Sequence, residues 1–134
     1  MKAKSIGAVA AGFAAVVVLS TLGDAVMHAA GVFPALGERM SDALFAWALL
    51  YRTLFTVLGG FVTAKLAPEN PRRHVAVLAT LGTLAGAVGV VVQLTATTDI
   101  GPAWYPIALA VLAAPSVWAG GALARPAARH PAMP

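Results

Sequence analysis

Four long apolar stretches alternate with short polar segments along the chain. They cover residues 5–30, 43–66, 71–97 and 105–124. Each reaches the length of about 20 residues at which an apolar helix crosses a hydrocarbon core. The second holds the organising segment WALLYRTLFTVLGGFVTAK, Trp47 to Lys65, with Arg52 well inside its apolar run. The predicted fold is all-α, an integral membrane four-helix bundle, antiparallel and up-down-up-down. Helix signals agree with these limits. Ser41 can cap the second span, and Asp42 in its first turn suits the helix dipole. Asn70 and Pro71 read as N-cap and first residue of the third. Ala67-Pro68 and Arg125-Pro126 end the second and fourth spans. The remainder, 126–134, holds three prolines and is expected to be a disordered tail.

Helical spacing separates the bundle side from the lipid side. In the second span Ala48, Arg52, Thr56, Gly59 and Thr63 share a stripe. In the third it is Gly82, Gly86, Gly89 and Gln93. Ser20, Asp24 and His28 align in the first, and Ala113, Ser116 and Gly120 in the fourth. Each helix thus carries one small or polar face, as packing between helices in lipid requires. Gly82 and Gly86 form a GxxxG, so Gly59, Gly82, Gly86, Gly89 and Gly120 are the expected packing positions, within one bundle or between two copies. Pro115 interrupts the fourth span and frees the Val111 carbonyl, which predicts a kink.

Composition strengthens this picture. Of the 134 residues, 60% are hydrophobic and 10% charged, against about 25% charged in soluble domains. There is no cysteine, so thiolate metal sites and thiol relays are excluded. The net charge of +4 comes from basic residues flanking the apolar runs, a topology signal rather than a nucleic-acid footprint. Lys2, Lys4, Lys65, Arg72, Arg73, Arg125 and Arg129 fall on one side of a four-span arrangement, and Arg39 on the other. Both termini are therefore expected in the cytoplasm. Trp47, Tyr51, Trp104 and Tyr105 cluster toward the opposite interface. The first span is too long for a signal-peptide core, and His28-Ala29-Ala30 is a poor cleavage site, so it is read as retained.

The candidate chemistry lies in Asp24, His28, Arg52 and Gln93. At 1.5 Å per residue, Asp24 sits about 10 Å and Arg52 about 12–15 Å below the outer ends of their helices, with Gln93 about 6 Å deep. An ionised side chain near a helix centre costs roughly 2.5–3.5 kcal/mol on insertion scales. An Asp24–Arg52 ion pair would cancel two such costs, with His28 and Gln93 as hydrogen-bonding neighbours. At the other surface Lys65, Arg72, Arg73 and His74 form a basic patch suited to lipid headgroups. No His/carboxylate cluster has metal-site spacing and no serine lies in a nucleophile motif, so neither cofactor nor enzyme activity is expected.

Tyr51-Arg52, Gly59-Gly60, Ala67-Pro68 and GPAWYP (Gly101 to Pro106), with Pro71, His74, Gly82, Pro115 and Gly120-Gly121, resemble a family of small four-span bacterial inner-membrane proteins of no known activity. The resemblance runs from Phe33 onward and implies four helices in a bacterial inner membrane. It implies no substrate or cofactor. Small multidrug transporters also have four short spans and a carboxylate in the first. Here Asp24 lies toward the outer end and Arg52 can neutralise it, and the charge bias opposes dual orientation. The leading expectation is a non-enzymatic protein that packs with itself, a membrane partner or lipid. The alternative is a small transporter or channel using Asp24, Arg52 and Gln93. The orientation has a direct check: protease added outside intact cells should leave a C-terminal epitope uncut, and digestion of that epitope would overturn the assignment.

Overall fold

The computed structural model describes residues 2–35 and 38–125. The expected disordered tail, with Arg129, lies outside the described residues. The helices are α1 (Ala3–Ala29), α2 (Asp42–Leu66), α3 (Pro71–Thr95) and α4 (Trp104–Ala124). All four are long and apolar enough to cross a membrane, and the described residues contain no strand. Ser41 caps α2, its hydroxyl accepting from the Leu44 amide at 3.3 Å. Asn70 occupies the N-cap position of α3 with Pro71 behind it, but not as expected. Its backbone is left-handed (φ 46°) and its side chain makes no capping bond. The tight α2–α3 turn needs that positive φ, which asparagine tolerates better than most residues. α4 continues as a helix through Pro115.

Neighbouring side chains give the helix directions. Asp24 meets Arg52 and Ala8 meets Thr63, so α1 and α2 are antiparallel. Phe45 meets Tyr105, and Gly60 meets Val117, so α2 and α4 run the same way. Gly86 meets Ala110 and Gly121 meets Val75, so α3 and α4 are antiparallel. The bundle is therefore up-down-up-down. Its terminal end holds the start of α1, the α2–α3 turn and the end of α4. Its loop end holds the α1–α2 and α3–α4 connections.

The tightest contacts are backbone to backbone. A Cβ on Gly60 would strike the Val117 carbonyl, and one on Gly120 would strike the Val57 carbonyl and come within 2.7 Å of the Phe61 nitrogen. A Cβ on Gly12 would lie 2.7 Å from the Gly59 carbonyl oxygen. In lipid, where apolar side chains gain little by leaving their solvent, such close approach is a main source of helix association. Gly59, Gly86 and Gly120 are thus packing glycines inside one bundle. Gly82 and Gly89 make only ordinary contact, with Ala113 and Pro106. Gly12, Gly60 and Gly121 are close-contact positions that the stripes did not single out.

α2 lies between α1 and α4, α3 packs mainly on α4, and the α1 and α4 backbones do not approach each other closely among the described residues. Towards the terminal end, Thr63, Val75, Leu78 and Val117 are fully buried. Towards the loop end a second cluster joins Phe33, Ala48 and Tyr51. Large apolar side chains cover the outside; Leu123 is 70% exposed and Val111 67%. An apolar exterior on this scale is what a hydrocarbon solvent accommodates. Gly120→Ala should lower unfolding stability in mixed micelles by about 1–3 kcal/mol through overpacking. Gly7→Ala, where nothing lies within 4 Å, should be neutral or slightly stabilising. Equal effects at the two positions would contradict the close α2–α4 contact.

Candidate functional site

α1 and α2 bring Asp24, Tyr51 and Arg52 together. Arg52 Nη2 donates to Asp24 Oδ2, and the Tyr51 hydroxyl donates to Asp24 Oδ1. Both carboxylate oxygens are therefore engaged. The two side chains are half-buried. Tyr51 and Arg52 are adjacent, so they project about 100° apart on α2 and approach the carboxylate from two sides. Gly23 permits this: a Cβ there would lie 3.1 Å from the Tyr51 ring and 3.3 Å from that of Phe55. The sequence pattern places Tyr51 in an interfacial belt; its position beside Arg52 is the signal that points to the ion pair.

The other two members of the expected cluster are bonded elsewhere. Gln93 Nε2 donates to the Gly101 carbonyl at 2.9 Å. That carbonyl lies within its own hairpin, where Gly101 at φ 125° turns the chain. A close acceptor in its own hairpin satisfies the amide without reaching across the bundle. His28 Nδ1 lies 3.1 Å from the Pro34 carbonyl oxygen. Its ring meets Phe33 edge-on, and Phe33 stacks on Tyr51. His28 thus supports the site through an aromatic contact and makes no hydrogen bond to the ion pair.

The basic patch also changes. His74 is 4% exposed, so it is not a headgroup contact. Its Nδ1 lies 3.0 Å from the Asn70 carbonyl oxygen, and its Nε2 is buried without a partner. The left-handed Asn70 draws that carbonyl within reach and pulls the ring inward. Arg72 and Arg73 remain exposed, and Lys65 lies 5.6 Å from the centre of the Phe61 ring. At the loop end an exposed Arg39–Asp99 ion pair ties the two connections together. Such pairs contribute about 0–1 kcal/mol.

Beside the ion pair lies a cavity of about 230 Å³. Gly82, Gly86 and Gly89 form its α3 wall, where missing side chains leave the space. Phe13 and Val17 line its α1 side and are themselves partly exposed on the bundle surface. The cavity therefore opens sideways between α1 and α3. Leu78 and Val117 close it towards the terminal end. Among the described residues Arg52 is its one ionisable lining residue, with the Ser20 and Thr56 hydroxyls also on the wall. The described residues contain no group of three or more side chains able to hold a metal.

This fold and site define a small multi-pass membrane protein with a charged pair beside a lateral apolar cavity. The chain matches no protein-family model, no curated protein and no solved structure.

A double-mutant cycle tests the pair. Asp24→Asn and Arg52→Gln should each cost about 1–3 kcal/mol in micelles, since each strands a desolvated charge. The double variant should recover part of that loss, and Tyr51→Phe should cost about 1 kcal/mol. Strictly additive single losses would show that the charges act separately.

Proposed function

We propose that this protein is a non-enzymatic lipid-binding protein of the bacterial inner membrane. It takes one apolar chain from the surrounding bilayer into the cavity between α1 and α3. The observation that carries this reading is the cavity's shape: open at the side, apolar on its walls and closed towards the terminal end by Leu78 and Val117. Chains in the bilayer meet such an opening directly. An apolar pocket with few polar groups is the usual form of a small-molecule site.

A channel needs a second exit open at the same time. The fully buried Thr63, Val75, Leu78 and Val117 occupy the place where it would run, which favours binding over conduction. An enzyme needs an available acid or base. Asp24 spends both oxygens on Tyr51 and Arg52, which favours a structural and recognition role for the pair. The bacterial inner membrane rests on the family resemblance, and the cytoplasmic termini rest on the loop charges.

A long-chain hydrocarbon carrying a photoactivatable diazirine tests the reading. After illumination in micelles, peptide mass spectrometry should find adducts concentrated on Phe13, Val17 and Ala85. In Gly89→Leu these adducts should fall about tenfold, because the new side chain enters the cavity. A Cβ there lies 4.0 Å from its nearest neighbour, Pro106, so the backbone need not move. Adducts spread evenly over outward residues such as Leu54 and Leu123, unchanged in the variant, would overturn the proposal.

A further inference from the structure

We infer that the chain held in the cavity carries a neutral hydrogen-bond acceptor, a lipid carbonyl, and that Arg52 receives it. This rests on the cavity reading above and adds the chemistry of the head.

Arginine has five N–H donors. Asp24 accepts from Nη2. Nε shares that edge of the guanidinium and is shut off from the cavity. Nη1, on the other edge, makes no hydrogen bond among the described residues, and Arg52 lines the cavity. The guanidinium therefore has hydrogen-bonding capacity left at Nη1, on the side away from Asp24. Thr56 does not absorb it: its hydroxyl donates to the Arg52 carbonyl at 2.7 Å and, among the described residues, accepts from no guanidinium nitrogen.

Charge sets the nature of the head. Asp24 already neutralises Arg52. A carboxylate or phosphate would bring a second, uncompensated negative charge into an apolar wall, which is unfavourable. A carbonyl satisfies the donor and adds no charge.

The guanidinium rather than the Arg52 backbone meets the head, and it lies at the level of Asp24, about 7–8 Å from the loop end of α1. Acyl esters and isoprenoid quinones share the required carbonyl on an apolar body. From the level of Gly86, opposite Arg52, to Leu78 the slot is roughly 12 Å long, enough for a medium-length chain.

Competition against the photoactivatable chain tests this. The competitors are decane, methyl decanoate, 2-decyl-1,4-benzoquinone and decanoate at a pH where it is ionised. The proteins are the wild type and the Asp24→Asn/Arg52→Gln double variant, which keeps the site neutral; comparing the two cancels partition into the micelle. In the wild type, the ester or the quinone should compete about tenfold better than decane, as expected for a hydrogen bond to a charged donor. The stronger of the two identifies the source of the carbonyl. In the double variant the advantage should shrink to about twofold or less. If decane, ester and quinone compete equally in the wild type, the head is not recognised and the inference fails, while the cavity reading stands. If decanoate is strongest by about tenfold, the head is an anion and the inference also fails. If nothing competes, the cavity reading itself is wrong. Should the double variant not fold, the wild-type ranking still decides.

Discussion

The backbone contact between α2 and α4 shapes the rest of the molecule. Gly60 lies against the Val117 carbonyl and Gly120 against the Val57 carbonyl. Neither position has room for a side chain, so α4 sits on one face of α2 at close range. Gly12 and Gly59 hold α1 on another face in the same way. With both faces occupied, the α1 and α4 backbones stay apart. α3 covers the gap from the α4 side and meets α1 beside Leu78, but its own glycine stripe leaves space above that point. The lateral cavity follows from these contacts.

Arg52 stands at the edge of that space. An arginine there cannot keep a full shell of water, so it is stable only with a counter-charge and acceptors. Asp24 supplies the charge. Tyr51 completes the carboxylate, so the anion is satisfied from two sides. The guanidinium is less fully satisfied, because a planar group with five donors exceeds what one carboxylate oxygen can accept. The asymmetry between a saturated aspartate and an unsaturated arginine links the structural role of the pair to a binding role. A pair needed only for helix register could have been saturated on both sides.

The expected hydrogen bonds that failed share one cause. Gln93 and His28 have suitable depth and face, yet each bonds to a nearby carbonyl in its own hairpin. His74 likewise bonds to the carbonyl four residues before it. Depth along a helix can be counted from the sequence. Competition from a local carbonyl depends on loop conformation, on Gly101 and Asn70 in their positive-φ states, which spacing along a helix does not reveal. Tyr51 departs from its expected role for the opposite reason. As an aromatic near a helix end it fitted an interfacial role, and its hydroxyl showed its use only once Asp24 faced it.

The sequence by itself determined the number of helices, their limits to within about two residues, their apolar exteriors and the need of Arg52 for a partner. These follow from hydrophobic length, terminating prolines and the cost of charge in hydrocarbon, all local or one-dimensional properties. The neighbour order α1–α2–α4–α3, the choice of Gly60 over Gly82 as a closest contact, and the cavity between α1 and α3 were decided only by the tertiary structure. In lipid the apolar faces of different helices are nearly equivalent. Which faces meet depends on the fit of backbones in three dimensions, and a periodic stripe of glycines serves equally well to close a contact or to leave a space.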